Sequence, residues 1–155
     1  MANKILWDAK PTDAIIMAAA SGPLKNLDPA GIAVSAEVTN GTALNTMGSF
    51  QLYVHDFDAA PAAGGYFSLH IVYQMDGTLY TDGETGDVAD PNLSAATEMG
   101  IFPVLASDEP QLMPLINVPL APFDFKVCIV NNTSQPIVDS DGATLTFYPY
   151  SAEVQ

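Results

Sequence analysis

Apolar and polar side chains alternate through FQLYVHDF, so that Phe50, Leu52 and Val54 fall at one parity and Gln51, Tyr53 and His55 at the other. A period of two is that of a strand with one buried face, which places the first set in a core and the second outside. YFSLHIVYQ repeats the pattern, with Phe67, Leu69, Ile71 and Tyr73 against Ser68, His70, Val72 and Gln74. FDFKVCI does so again, with Phe123, Phe125, Val127 and Ile129 inward and Asp124 and Lys126 outward. From residue 30 onward such short apolar runs are bounded by Gly, Pro, Asn and Asp, the punctuation of an all-β chain. Strands are expected over 32–38, 48–57, 66–74, 78–80, 96–105, 112–118, 123–131 and 143–150. About eight strands in one domain predict a two-sheet β-sandwich, with a jelly roll preferred and an immunoglobulin-like sandwich as the alternative.

The first thirty residues have a different texture. DAIIMAAA reads as one or two helical turns, and SGPLKNLDPAG stops any helix with Gly22, Pro23, Pro29 and Gly31. Residues 1–30 are therefore read as an N-terminal arm and residues 31–155 as the sandwich. Trp7, Ile15, Ile16 and Met17 would leave apolar surface on such an arm, so they are its expected anchors, on a neighbouring molecule or on the arm's own domain.

A length of 155 residues suits one domain, and the 48% hydrophobic and 14% charged content is that of a chain that folds. Four basic against 18 acidic residues give a net charge of -14, which repels nucleic-acid backbones and anionic lipid. The apolar stretch after Lys4 is interrupted by Asp8, Lys10, Pro11 and Asp13, so neither a signal peptide nor a membrane span is expected. Cys128 is the only cysteine; it permits no intrachain disulfide and sits in FKVCIV as an expected buried thiol.

Candidate chemistry is sparse. The tract DGTLYTDGETGDVADPN offers Asp82, Glu84 and Asp87 as calcium ligands, but it lacks the alternating acidic order and distal glutamate of an EF-hand. A solvated loop with Asp-Gly turns is the preferred reading, and no cofactor is expected. Asn40, Asn92, Asn131 and Asn132 begin glycosylation-like triplets; without a secretory route these read as turn residues. His55 and His70, the only histidines, belong to no Ser-His-Asp or metalloprotease pattern, so no catalytic residue is assigned. Tyr53, Tyr148 and Tyr150 share a parity that would make a sheet-face platform for stacking on sugars, although tyrosine also suits strands for its own sake.

The C-terminal segment PLAPFDFKVCIVNNTSQPIVDSDGATLTFYPYSAEV resembles small structural proteins of tailed phages. A proline-led strand with an F-K pair, an Asn-Thr turn, a Gly-x-Thr-Leu strand and a Tyr-x-x-x-Val terminus are matched by Pro122, Phe125, Lys126, Asn132, Thr133, Gly142, Thr144, Leu145, Tyr150 and Val154. Upstream, AAGGYFSLHIVYQMDGTLYTDG resembles the same family's central strand and Asp-Gly loop. The likeness spans about the C-terminal two thirds, with Asp124 and Gln135-Pro136 standing where the family pattern has glycine. It implies a non-enzymatic virion protein, made in the host cytoplasm and placed on the outer surface of the head as a capsid decoration or cement protein. Its implied partners are the major capsid protein and further copies of itself, with a trimer favoured. A carbohydrate-binding β-sandwich module associated with a tail or fibre is the alternative.

Overall fold

The computed structural model describes residues 5–7, 14–18, 22–77, 79–81, 93, 96–138 and 143–154, and for 5–7 and 152–154 the strand pairing alone. The described residues form β1 (Ile5–Trp7), β2 (Ala14–Met17), β3 (Ile32–Val34), β4 (Met47–Val54), β5 (Tyr66–Tyr73), β6 (Thr97–Pro103), β7 (Gln111–Pro119), β8 (Phe125–Asn131), β9 (Ala143–Tyr150) and β10 (Ala152–Val154). They contain no helix. Two four-stranded sheets, ordered β2-β9-β4-β7 and β3-β8-β5-β6, pack face to face, and β1 pairs with β10 in a separate two-stranded ribbon.

All pairings are antiparallel and nested: β2 with β9, β3 with β8, β4 with β7 and β5 with β6. Pairs β4–β9 and β5–β8 then join the nested hairpins side by side. That is one long hairpin rolled over itself, the jelly roll expected from the strand count, and it is not the strand grouping of an immunoglobulin sandwich.

The segment read as helical turns is a strand instead. Ile15 and Ile16 are β-branched and favour extended backbone, and the edge of β9 offers them a ladder at Ala14↔Phe147 and Ile15↔Thr146. Met17, Leu24 and Leu27 are buried in the main core, so residues expected in a separate arm supply an edge strand and core side chains of the sandwich. Of the strand expected over 78–80, residue 78 lies outside the described residues and Tyr80 makes a bridge to Gln74, and Phe123 lies ahead of β8, only half buried.

The two sheets meet through a pile of rings. Phe147 of β9 stacks on Phe50 of β4 with centroids 5.0 Å apart, and meets Phe125 of β8 edge to face at 5.7 Å and 89°. Tyr73 continues the pile against Phe125 at 6.0 Å. Gly48 leaves the room this needs, since a Cβ there would lie 2.5 Å from the Phe147 ring.

Buried amides tie the loops to the core. Asn131 is fully buried; its Nδ2 donates to the carbonyls of Leu27 and Gln135, while its Oδ1 accepts from the Thr133 amide and hydroxyl. Asn40 does the same for the turn before β4, donating to the Asn45 and Ala121 carbonyls, and Asp124 accepts from the Asn40 and Gly41 amides. Two of the glycosylation-like asparagines are thus inaccessible, and their amides serve local backbone.

Gly48→Ala is expected to keep the fold while lowering stability by about 1–3 kcal/mol through overpacking against Phe147. Urea unfolding with an unchanged slope and a lower midpoint would match this; an unchanged midpoint would contradict it.

Candidate binding surface

With Leu145 and Phe147 buried, Thr144, Thr146, Tyr148 and Tyr150 of β9 point outward. The register carries that face across the sheet. One row runs Ile15, Thr146, Gln51, Pro114, and the next runs Thr144, Tyr53, Leu112. At the β7 end a bulge opposite Gly48 and Phe50 holds Asn117 at φ 59°, and Ile116 beside it is 66% exposed. Ile15 is 65% and Leu112 58% exposed on the same face.

The sequences of these four strands, AIIM, MGSFQLYV, QLMPLINVP and ATLTFYPY, contain no Asp, Glu, Lys or Arg. A chain with 18 acidic residues therefore presents one outer sheet face without a charge among the described residues. Its polar atoms are partly engaged with one another: the Tyr148 hydroxyl donates to Gln51 Oε1 at 2.7 Å and the Tyr150 hydroxyl to Asn117 Oδ1 at 2.6 Å.

The opposite sheet is finished differently. Val72, Tyr80 and Cys128 form a second cluster on its outer side, joined by Ile32, Val34, Leu93 and Ala96. The hairpin after β5 is pinned there, with the Tyr80 hydroxyl donating to Glu37 and Lys126 Nζ lying 5.0 Å from the Tyr80 ring centroid. Val72, expected outward from its parity, is consequently buried. Among the described residues, one outer face is partly covered by the chain's own side chains, and the other is bare.

Tyr53, Tyr148 and Tyr150 lie on this same outer face, Tyr148 and Tyr150 as successive outward residues of β9 and Tyr53, 36% exposed, further along β4 beside Thr144. Ile15 joins them, Ile16 is half buried against the core, and Met17 is only 1% exposed inside it. Met17 therefore anchors its own sandwich rather than a neighbour, because the strand it belongs to completes the sheet. Trp7 lies in β1, for which the strand pairing alone is described. Asp82, Glu84 and Asp87 fall outside the described residues, and among the described residues no three His, Cys, Asp or Glu side chains gather as metal ligands. Leu112, Pro114 and Ile116 were missed as surface candidates, although the lack of any charge in QLMPLINVP was a signal for them.

Among the described residues the histidines make no catalytic constellation with the groups around them. His55 packs edge-on to Tyr53 at 6.2 Å. His70 Nε2 lies 3.0 Å from Ser68 Oγ, which also accepts from Asn132 Nδ2, but His70 Nδ1 is buried with no hydrogen-bond partner. Ser68 is only 5% exposed, so among the described residues this serine–histidine pair lacks both an orienting acid and access.

No protein-family model matches the chain, and no curated protein sequence matches it. Solved structures similar to it include "Carbohydrate-Binding Module CBM36 in complex with calcium and xylotriose", at 12% identity and a TM-score of 0.40 over 99% of this chain and 93% of that one. A second, "CBM4 structure and function", has 8% identity and a TM-score of 0.35 over 84% and 79% of the two chains. A third, the CBM32-1 module from a family 31 glycoside hydrolase of Clostridium perfringens, has 13% identity and a TM-score of 0.30 over 95% and 94%. At these scores the likenesses assign no function to this chain.

Burial lowers the pKa of His70, partly offset by Glu98 across the ladder. The unfolded chain therefore takes up this proton first as pH falls below about 6.5. His70 should cost the native state stability below that pH and nothing well above it. In denaturation between pH 7 and 5, His70→Gln is expected to lose less stability than the parent; an equal loss would contradict the assignment.

Proposed function

We propose that this chain is a non-enzymatic structural protein of a phage particle, of the capsid decoration type, which docks its charge-free sheet face on the head shell. The observation that carries the reading is a face bare and uncharged among the described residues, on a chain of net charge -14. Interface centres are depleted in charge and enriched in aromatic side chains, and large exposed apolar patches mark contact sites. The resemblance of the C-terminal segment to tailed-phage structural proteins supplies the kind of particle.

The size of the face favours a repeating partner. Three strands of eight or nine residues and one of four, about 4.8 Å apart and rising roughly 3.3 Å per residue, span on the order of 450 Å². A stable one-to-one complex buries roughly 800 Å² per partner. A single contact here is weak, whereas a shell presents the same surface many times and lets linked copies bind by avidity.

A second reading, a carbohydrate-binding module, is favoured by one specific feature. Tyr53, Tyr148 and Tyr150 share the face, and the hydroxyls of the last two are held by Gln51 and Asn117, as stacking platforms for sugar rings would be. The aliphatic Ile116, Leu112 and Ile15 around them have no such use and suit a protein surface better.

Co-sedimentation with purified heads tests the primary reading. Ile116→Asp should weaken binding about tenfold or more by placing a charge in the contact, while stability stays within about 0.5 kcal/mol. Retained binding would overturn the docking face. On a glycan array, a saturable signal lost in Tyr148→Ala would instead promote the sugar reading, and a blank array would remove it.

A further inference from the structure

β2 is the edge of its sheet, and β9 is the one strand paired with it among the described residues. The other three edges of the two sheets are guarded. β7 contains Pro114 and Pro119, β6 carries Glu98 and ends on Pro103, and β3 is three residues long, with Ile32 and Val34 packed into the second cluster. Prolines, charges and very short strands keep an edge from recruiting another strand. β2, AIIM, has neither proline nor charge, and the register shift between Ile15 and Met17 leaves a short stretch of it to pair.

A groove of about 400 Å³ lies beside that edge. It is lined by Ile15 and Ile16 of β2, by Phe147 of β9, and by Ala36 and Val38 of the segment that bridges to β8, so it opens between the two sheets. That volume is in the range that takes a ligand group, from roughly 300 Å³ upward. Ala36 is exposed in the lining, as is Ala43 of the loop before β4. Glu37, also exposed, is the one charged residue in the lining among the described residues. Its Oε2 accepts from the Tyr80 hydroxyl and from Gln74 Nε2, which steadies the carboxylate. Ile15 belongs both to this lining and to the charge-free face, so the groove continues that face around its β2 edge.

We infer that this edge binds an extended apolar peptide segment bearing a basic residue, which adds to the sheet as a fifth strand beside β2. A strand added in this way gains affinity from main-chain hydrogen bonds and selectivity from pockets under its alternate side chains. The unpaired edge supplies the first and the groove supplies the second. The cation follows from Glu37 and from the net charge of -14, both of which favour a basic over an acidic segment. The site does not depend on the head-docking reading: its ligand is a peptide segment, and Ile15 is the one residue it shares with the docking face.

Fluorescence anisotropy tests it, with the full chain titrated into a short labelled peptide that alternates leucine with threonine and ends in lysine. Saturable binding is expected, weakened about tenfold by Ala43→Trp, which fills the groove from an exposed position. Changing the peptide's lysine to glutamate should weaken binding about threefold, the scale of an exposed ion pair, and Glu37→Lys should reverse that preference. N-methylation of the peptide's backbone nitrogens should abolish binding, because the donors of the ladder are gone. Leu105→Asp, exposed beyond the end of β6, should bind as the parent does. Absence of saturable binding, binding unmoved by Ala43→Trp, or full binding of the N-methylated peptide would each overturn the inference. Co-sedimentation with heads keeps the two readings apart. Head binding by a parent chain that takes no peptide would overturn the edge site and leave the docking face standing, and peptide binding without head binding would do the reverse.

Discussion

The edge-to-face contact of Phe147 with Phe125 fixes more of this molecule than any other single interaction. It joins the middle of one sheet to the middle of the other, and with the stacking of Phe147 on Phe50 it sets which parity of β9 and β4 faces the core. A slip of one residue would turn every ring outward. Because the inward set is settled by these rings, the outward set is settled too, and it is the row of Thr, Tyr, Gln and Ser flanked by Ile15, Leu112 and Ile116.

From that follows the asymmetry of the sandwich. The outer side of β3-β8-β5-β6 carries Lys126, His70 and Glu98 and is partly roofed by Tyr80 and Leu93. The outer side of β2-β9-β4-β7 has no charge and no roof among the described residues. On a strongly acidic protein, a neutral face is where another surface approaches without desolvating a carboxylate, since an unpaired buried charge is costly. The proposed docking role falls on that neutral side of the domain.

Much of this was legible in the sequence. FQLYVHDF, YFSLHIVYQ and FKVCIV announced their faces by alternation, and β4, β5, β8 and β9 lie within a few residues of where the pattern places them. Eight strands in one domain favoured a jelly roll with an immunoglobulin-like sandwich as the alternative, and the nested pairing decides for the former. What was hidden depended on distant partners. AIIM has too few residues to show a period and becomes a strand because β9 offers an edge. Val72 looks outward locally and is buried by a hairpin that folds over it. The bare face is written in four separated segments, and only the register reveals that their uncharged residues are neighbours. Asn131, read from its triplet as a turn residue, proves to be buried, and its partner Leu27 lies too far along the chain for the sequence to show.

Hydroxyl-radical footprinting of the free and head-bound chain tests the docking face most directly. Tyr53, Tyr148, Leu112 and Ile116 should lose reactivity on binding, while Tyr66 and Ile101 of the opposite sheet, both exposed in the free chain, should keep theirs. Protection of Tyr66 and Ile101 with Tyr53 and Ile116 unchanged would contradict the account.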